Sequence, residues 1–272
     1  MTNWSGKVVI VTGGSSGLGR AIAAAFAERG ANVVIAARGA DALQRTAAEL
    51  SQAGRAVTAI PTDVTRQVSV DALIAQTIAR FGRIDVLVNN AGRSSRRAVL
   101  DTTPEDFAAL VEINLLGLVR MTRAAAPHLL TAHGHVVNIG SLAGKSATRF
   151  MGAYPASKFA VSAYSQQLRL ELEPQGLHVL LVCPGPIARD EPRAADSERA
   201  QEDTSGIPES ARKPGAGAKV KLLQPEDLAA RIVQACDARQ PELVIPGKAR
   251  ILFAIAALSP RWGDWLVRRM TS

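Results

Sequence analysis

Cysteine is nearly missing: Cys183 and Cys236 are the only two in 272 residues, and the first lies inside an apolar run. A disulfide framework is therefore excluded, and the cytoplasm is the expected setting. Acidic residues are the scarcer charge, 24 against 32 lysines and arginines, which leaves a net charge of +8. Such a surplus suits nucleic acid, an anionic membrane surface or an acidic substrate. No nucleic-acid-binding motif accompanies it, so nucleic acid is not an expected partner. Long apolar runs are lacking as well, since Ala249 to Leu258 is too short to span a bilayer. Met1 to Lys7 is short and polar, which is not the pattern of a cleavable leader. The histidines His128, His133, His135 and His178 have no carboxylate or cysteine beside them at ligand spacing, so no metal is expected. His133-Gly134-His135 falls where a helix gives way to a strand and reads as a solvated turn.

What is present is ordinary soluble material, 47% hydrophobic and 21% charged. The length suits one large α/β domain. Apolar strands are expected at Lys7–Val11, Asn32–Ala37, Ala56–Pro61, Ile84–Val88, His135–Gly140, Gly176–Cys183 and Glu242–Ile245. Helices are expected between them, at Arg20–Arg29, Ala40–Ala53 and Val68–Phe81, from Thr103 onward, and from Pro225 to about Ala238. Thr103-Pro104-Glu105-Asp106 is a strong helix start, with a capping threonine, a first-turn proline and acids at the positive end. Alternating strands and helices predict an α/β fold with a parallel sheet.

Two stretches carry chemistry. Tyr154 and Lys158 are four apart in Gly152-Ala153-Tyr154-Pro155-Ala156-Ser157-Lys158, so on a helix they leave from nearly the same face. A cation held close to a phenol favours the phenolate, which makes the pair a usable general acid/base. Ser141 ends the strand that starts at His135, at the carboxyl edge where open α/β sheets bind ligands, and is placed to steady a carbonyl oxygen. At the amino terminus, strand, glycine turn and helix start follow one another through Thr12-Gly13-Gly14-Ser15-Ser16-Gly17-Leu18-Gly19. Free N–H groups and the helix dipole there favour an anion, so the stretch reads as a phosphate cradle.

Taken in order, T-G-x-x-x-G-x-G, Asn89-Asn90-Ala91-Gly92, Asn114, Ser141 and Y-x-x-x-K resemble the short-chain dehydrogenase/reductase family, over about residues 5 to 190. The resemblance implies a single Rossmann-like, doubly wound parallel sheet of about seven strands with helices on both faces, covering residues 1–248. It implies an oxidoreductase that moves hydride between a nicotinamide cofactor and a ketone or secondary alcohol. Tyr154 would be the general acid/base and Ser141 the carbonyl-oxygen ligand. Lys158 would tune the tyrosine and bind the ribose, and Asn114 would interrupt its helix and hold a water. The cofactor would be held by Gly13, Ser15, Ser16, Gly17, Leu18 and Gly19 at its phosphates and by Asp63 and Val64 at its adenine. Asn90, Ala91, Gly92, Pro184, Gly185 and Ile187 would complete the set with Tyr154 and Lys158. Where relatives often carry a threonine after Pro-Gly, this chain has Arg189.

Dinucleotide folds that prefer NAD usually place a carboxylate at the end of the second strand. This chain has Ala37 and then Arg38, and a guanidinium recognises phosphate well; NADP(H) is therefore expected. Residues 189–222 have the composition of a mobile loop, which in the family covers the substrate. Arg93, Arg96 and Arg97 read either as a greeting for an anionic thioester carrier or as a solvated loop. The extension 249–272 ends in Trp262, Trp265, Arg268 and Arg269. That composition suits a membrane interface or a greasy approach to the site, and equally a subunit contact or a packed core helix. The partners expected are a small carbonyl or alcohol, lipophilic or of 3-oxoacyl type, and further copies of the chain in a dimer or tetramer. The alternative from another class is a catalytically silent NADP(H)-binding sensor.

Overall fold

The computed structural model describes residues 3–52, 54–188, 207–212 and 221–270. Seven strands form one parallel sheet in the order β3-β2-β1-β4-β5-β6-β7: β1 Val8–Thr12, β2 Asn32–Ala37, β3 Val57–Pro61, β4 Val86–Asn89, β5 His135–Ile139, β6 His178–Pro184 and β7 Glu242–Ile245. Parallel strands with both faces covered should be apolar throughout, and β1 and β6 are buried at every position.

The helices are α1 Gly17–Ala27, α2 Ala40–Gln52, α3 Gln67–Phe81, α4 Pro104–Val111, α5 Gly117–Thr131, α6 Tyr154–Leu172, α7 Pro225–Asp237, α8 Ala249–Leu258 and α9 Pro260–Met270. A single further helical turn spans Glu209–Arg212. Successive side chains of a strand point to opposite faces, and the two main cores follow that alternation. Val9 and Val11 join Ile22 and Phe26 of α1, Leu43 of α2 and Ile232 of α7 on one face. Ile10 joins Leu73 of α3 and Met121 of α5 on the other. A smaller core under α6 brings Val161 against Leu181, Cys183 and Val244.

The seven expected strands are all present, with ends shifted by up to two residues. The larger difference is at α1, which begins at Gly17 rather than Arg20. Its two glycines belong to the helix because only Ser16, in extended backbone, is needed to start it. Gly176, expected in β6, instead has φ +89° and ends the turn before it. Arg189 and most of 189–222 lie outside the described residues. The chain leaves β6 and returns at one point, where Ile187 bridges Leu223.

α8 contains no fully buried residue, so it is not a packed core helix. Among the described residues no helix is long and apolar enough to cross a membrane.

Candidate active site

Because all seven strands are parallel, their carboxyl ends gather on one edge. The order reverses there between β1 and β4, the place where such sheets bind ligands. Thr12 and Asn90 tie these two strands together. Thr12 Oγ1 accepts from the N–H groups of Asn90 and Ala91, each at 3.0 Å, and donates to Val88 O at 3.1 Å. Asn90 Nδ2 donates back to Thr12 O at 2.9 Å and Gly13 O at 3.2 Å. Gly19 is required by this closeness, since a Cβ there would lie 2.1 Å from Gly13 O.

The turn fits a dinucleotide phosphate. Gly17 has φ +50° and its outward side opens on empty space, α1 begins there with no acidic residue in its first turn, and Thr46 of α2 holds the turn from behind by donating to Ser15 O at 2.9 Å. Leu18 and Gly19, in the first turn of α1, are buried.

At the next strand end, Arg38 is exposed and Asp63 half-buried. Burial alone would raise the Asp63 carboxyl. Bonds from the Thr65 hydroxyl and N–H, with the charges of Arg38 and Arg66, hold it below the ordinary carboxylate value instead. Thr65 Oγ1 donates to Asp63 Oδ1 at 2.7 Å. Val64 packs its side chain into the core against Gly117.

β5 delivers Ser141 in extended backbone (φ −169°), where its hydroxyl caps a short turn by accepting from Ala143 N–H at 3.1 Å. Ala143 and Met151 pack against Tyr154, the first residue of α6, and Gly144 lies flat on Lys158, its Cβ position 2.5 Å from the Lys158 carbonyl. Lys158 is only 7% exposed. Its Nζ donates to Ile139 O at 2.7 Å and sits 5.9 Å from the centre of the Tyr154 ring. Burial lowers the ammonium's pKa from 10.5 to about 8, opposed by Cys183. Ser141, Tyr154 and Lys158 are thus gathered by one strand end and one helix start, as the sequence predicts.

Asn114 lies in a π-helical turn, Glu112–Leu116, between α4 and α5. The interruption expected of it is therefore present, and such turns are frequent at functional sites. Its side chain clamps the loop after Gly92: Oδ1 accepts from Arg93 N–H, while Nδ2 donates to Arg93 O and Ser157 Oγ, all at 2.9 Å. Both amide protons are used. A Cβ on Gly92 would meet Asn114 Oδ1 at 2.7 Å and Lys158 Nζ at 3.9 Å, so glycine there keeps the space beside the lysine open. Pro184-Gly185 closes the site's far side, with Gly185 N–H on Ile245 O at 2.7 Å and Leu142 beside it.

The structure also involves residues that sequence reading missed. Thr12 and Ser157 each stood inside a quoted motif, as the first residue of T-G-x-x-x-G-x-G and as the residue before Lys158. A hydroxyl in an apolar surrounding was the available signal. The Ile139 carbonyl carried none. Arg93, Arg96 and Arg97 are all half-buried, not a solvated loop. Arg97 bonds Asp106 at 2.5 Å, and its backbone pairs with Phe150 and Gly152.

The histidine turn needs correction. His133 is exposed in the turn, but His135 opens β5 opposite His178, and their Nδ1 atoms are 2.8 Å apart. Parallel register places the rings together, and Trp4 lies 5.6 Å from His135 between ring centres. Among the described residues no group of three or more candidate metal ligands forms.

Residues 7–200 match the model of the short chain dehydrogenase family. The chain belongs to that family. This short-chain dehydrogenase is 38% identical over 241 residues to glycine betaine reductase of Emericella nidulans, covering 88% of the chain but only 18% of that much longer protein. It is 37% identical over 186 residues to an uncharacterized oxidoreductase of Staphylococcus aureus, covering 68% of the chain and 80% of the relative. To L-fucose dehydrogenase of Bos taurus it is 41% identical over 187 residues, 68% of each. Among solved structures, a family member from Burkholderia phymatum in complex with NAD superposes with a TM-score of 0.83 at 27% identity, covering 96% of both chains. A short-chain dehydrogenase from Streptomyces avermitilis gives 0.78 at 32%, covering 98% and 99%. The α/β Rossmann-like fold and a nucleotide-binding oxidoreductase of this family are therefore established.

Proposed function

We propose that the chain is an NADP(H)-dependent oxidoreductase that interconverts a ketone and a secondary alcohol, the carbonyl being lipophilic or of 3-oxoacyl type. The observation that carries this reading is the buried ammonium of Lys158, fixed on the Ile139 carbonyl next to Tyr154. A desolvated cation in that place has an effect on a neighbouring phenol that a solvated one lacks.

The turn Gly13–Gly19 would hold the cofactor's phosphates on N–H groups. Arg38, Asp63 and the Val64 backbone would take the adenosine end, and Asn90, Ala91, Gly92, Pro184, Gly185 and Ile187 the nicotinamide half with Tyr154 and Lys158. When bound, the cofactor supplies or accepts the hydride. Ser141 holds the substrate oxygen. Tyr154 gives that oxygen its proton in reduction and removes it in oxidation, while Lys158 favours the phenolate and binds ribose hydroxyls. Asn114, its side chain already committed to the loop, serves through its backbone carbonyl in the widened turn, which holds the water that resupplies the proton. NADP(H) is favoured because no carboxylate stands at Ala37 and the exposed Arg38 follows it.

The chain would work as a cytoplasmic dimer or tetramer. Support for self-association comes from the outer face of α6, where Ala156, Phe159, Ala163, Gln167 and Leu170 make one exposed, uncharged stripe.

The test is NADPH consumption with matched short-chain and long-chain 3-oxo compounds, using Tyr154→Phe as the blank. That substitution removes the proton donor and little volume, so turnover is expected to vanish while NADPH binding stays nearly intact. Undiminished turnover in the variant defeats the mechanism. NADPH binding with no turnover of either series would favour the silent sensor.

A further inference from the structure

The hairpin of α8 and α9 has a surface ill suited to water. The two helices pack on each other, and Gly263 brings them so close that a Cβ there would lie 2.6 Å from Ala256 Cβ. With the inner faces used, the outer faces should be polar. Instead α8 turns Ile251, Ala254 and Leu258 outward, positions three and four apart on one stripe. Ile251 is 65% and Leu258 87% exposed. α9 continues the patch with Trp262 at 70% and Trp265 at 56%, and the Arg269 guanidinium lies 5.4 Å from the Trp265 ring centre. The charge around it is mainly positive. Lys248, Arg250, Arg261, Arg268 and Arg269 are all exposed, against Asp264 alone.

We propose that this hairpin docks in the headgroup layer of an anionic bilayer, its apolar stripe inserted and its cations on lipid phosphates. Neither helix spans: 10 and 11 residues rise about 15 Å each, half of a hydrocarbon core of about 30 Å. Tryptophan and arginine side by side suit the depth where one end of a side chain is apolar and the other wet. A second copy of the chain is disfavoured as occupant, because a twofold contact through this patch would set its five cations against their own duplicates. At the hairpin's root, Ala249 and Phe253 pack on the same small core as Leu142, the neighbour of Ser141, so docking would bring the rim of the active site towards the membrane. The proposal stands whether or not the reaction assigned above is right.

Flotation of the full chain with vesicles of phosphatidylcholine, alone and mixed with phosphatidylglycerol, tests it. The chain is expected to float with the mixed vesicles, less with the neutral ones, and to be partly released by high salt. Replacing Trp262 and Trp265 together by alanine should lower partitioning about tenfold or more. Leu258→Glu, at a position with few neighbours to disturb, should do the same. No flotation on either vesicle, or flotation unmoved by both variants, overturns the proposal. So does a change of subunit number by light scattering in the variants with no vesicle binding in the parent chain, which would assign the patch to a second copy.

Discussion

Lys158 occupies a place where an ammonium is poorly solvated, and its chemistry follows from that. Its charge is kept below about pH 8 and lost above it, well before an ordinary lysine would lose it. If that charge favours the Tyr154 phenolate, kcat for reduction should fall as pH rises through about 8, approaching tenfold per unit. A pH–kcat profile at saturating cofactor checks the sign; a flat profile up to the normal lysine range would remove the lysine from the rate. Arg38, proposed to read a 2′-phosphate, lies exposed after the end of β2. Arg38→Asp is expected to reverse preference towards NADH, measured as the ratio of kcat/KM for the two cofactors, by about one to two orders of magnitude. An unchanged ratio would mean that the guanidinium does not touch a 2′-phosphate. Both residues stand out in the chain as candidates because spacing and position mark them. The Ile139 carbonyl, which fixes Lys158, is a backbone group that any residue would supply, so no sequence pattern marks it.

Elements show the same division. The carboxyl end of β5 could be read from the position of Ser141, whereas its other end could not, because what His135 touches depends on which strand lies beside it. Once β6 pairs in parallel, His135 faces His178, and the pair is tied to Gln240 O through His178 Nε2 at 2.8 Å. Burial first, then the neighbouring charges of His178 and Arg239, lower the His135 pKa to about 3, Asp85 opposing and Lys7 assisting. In the unfolded chain the imidazole binds its proton near 6.5. Between these values the unfolded state binds more protons, so this group's contribution to stability is present above about 6.5 and is lost as pH falls towards 3. The slope is about 1.4 kcal/mol per unit. Thermal melts over that range should show a shallower acid limb for His135→Gln, and an identical limb would assign acid sensitivity elsewhere. At Asn114 the helix interruption was expected, but the use of its side chain was not, since that side chain is spoken for only after the loop from Gly92 has folded beside it.

For the whole molecule, the sheet and its helices could be read because apolar runs and breakers alternate at regular intervals, and a right-handed crossover rule leaves few ways to arrange them. What covers their outer faces could not be read. The uncharged stripe on α6 predicts that Phe159→Glu, at a position 44% exposed in the isolated chain, lowers the molecular mass found by light scattering towards that of one subunit, with little change in melting temperature. A mass that stays the same would place the subunit contact elsewhere. Ala188 N–H bonds Leu223 O at 2.8 Å and Leu223 N–H bonds Pro186 O at 2.9 Å, so the excursion between them begins and ends at a single stitched point. Lengthening a loop with joined ends costs little, about 0.6 kcal/mol for each doubling. A change of length between Ala188 and Leu223 would therefore leave β6 in its register on β5 and β7.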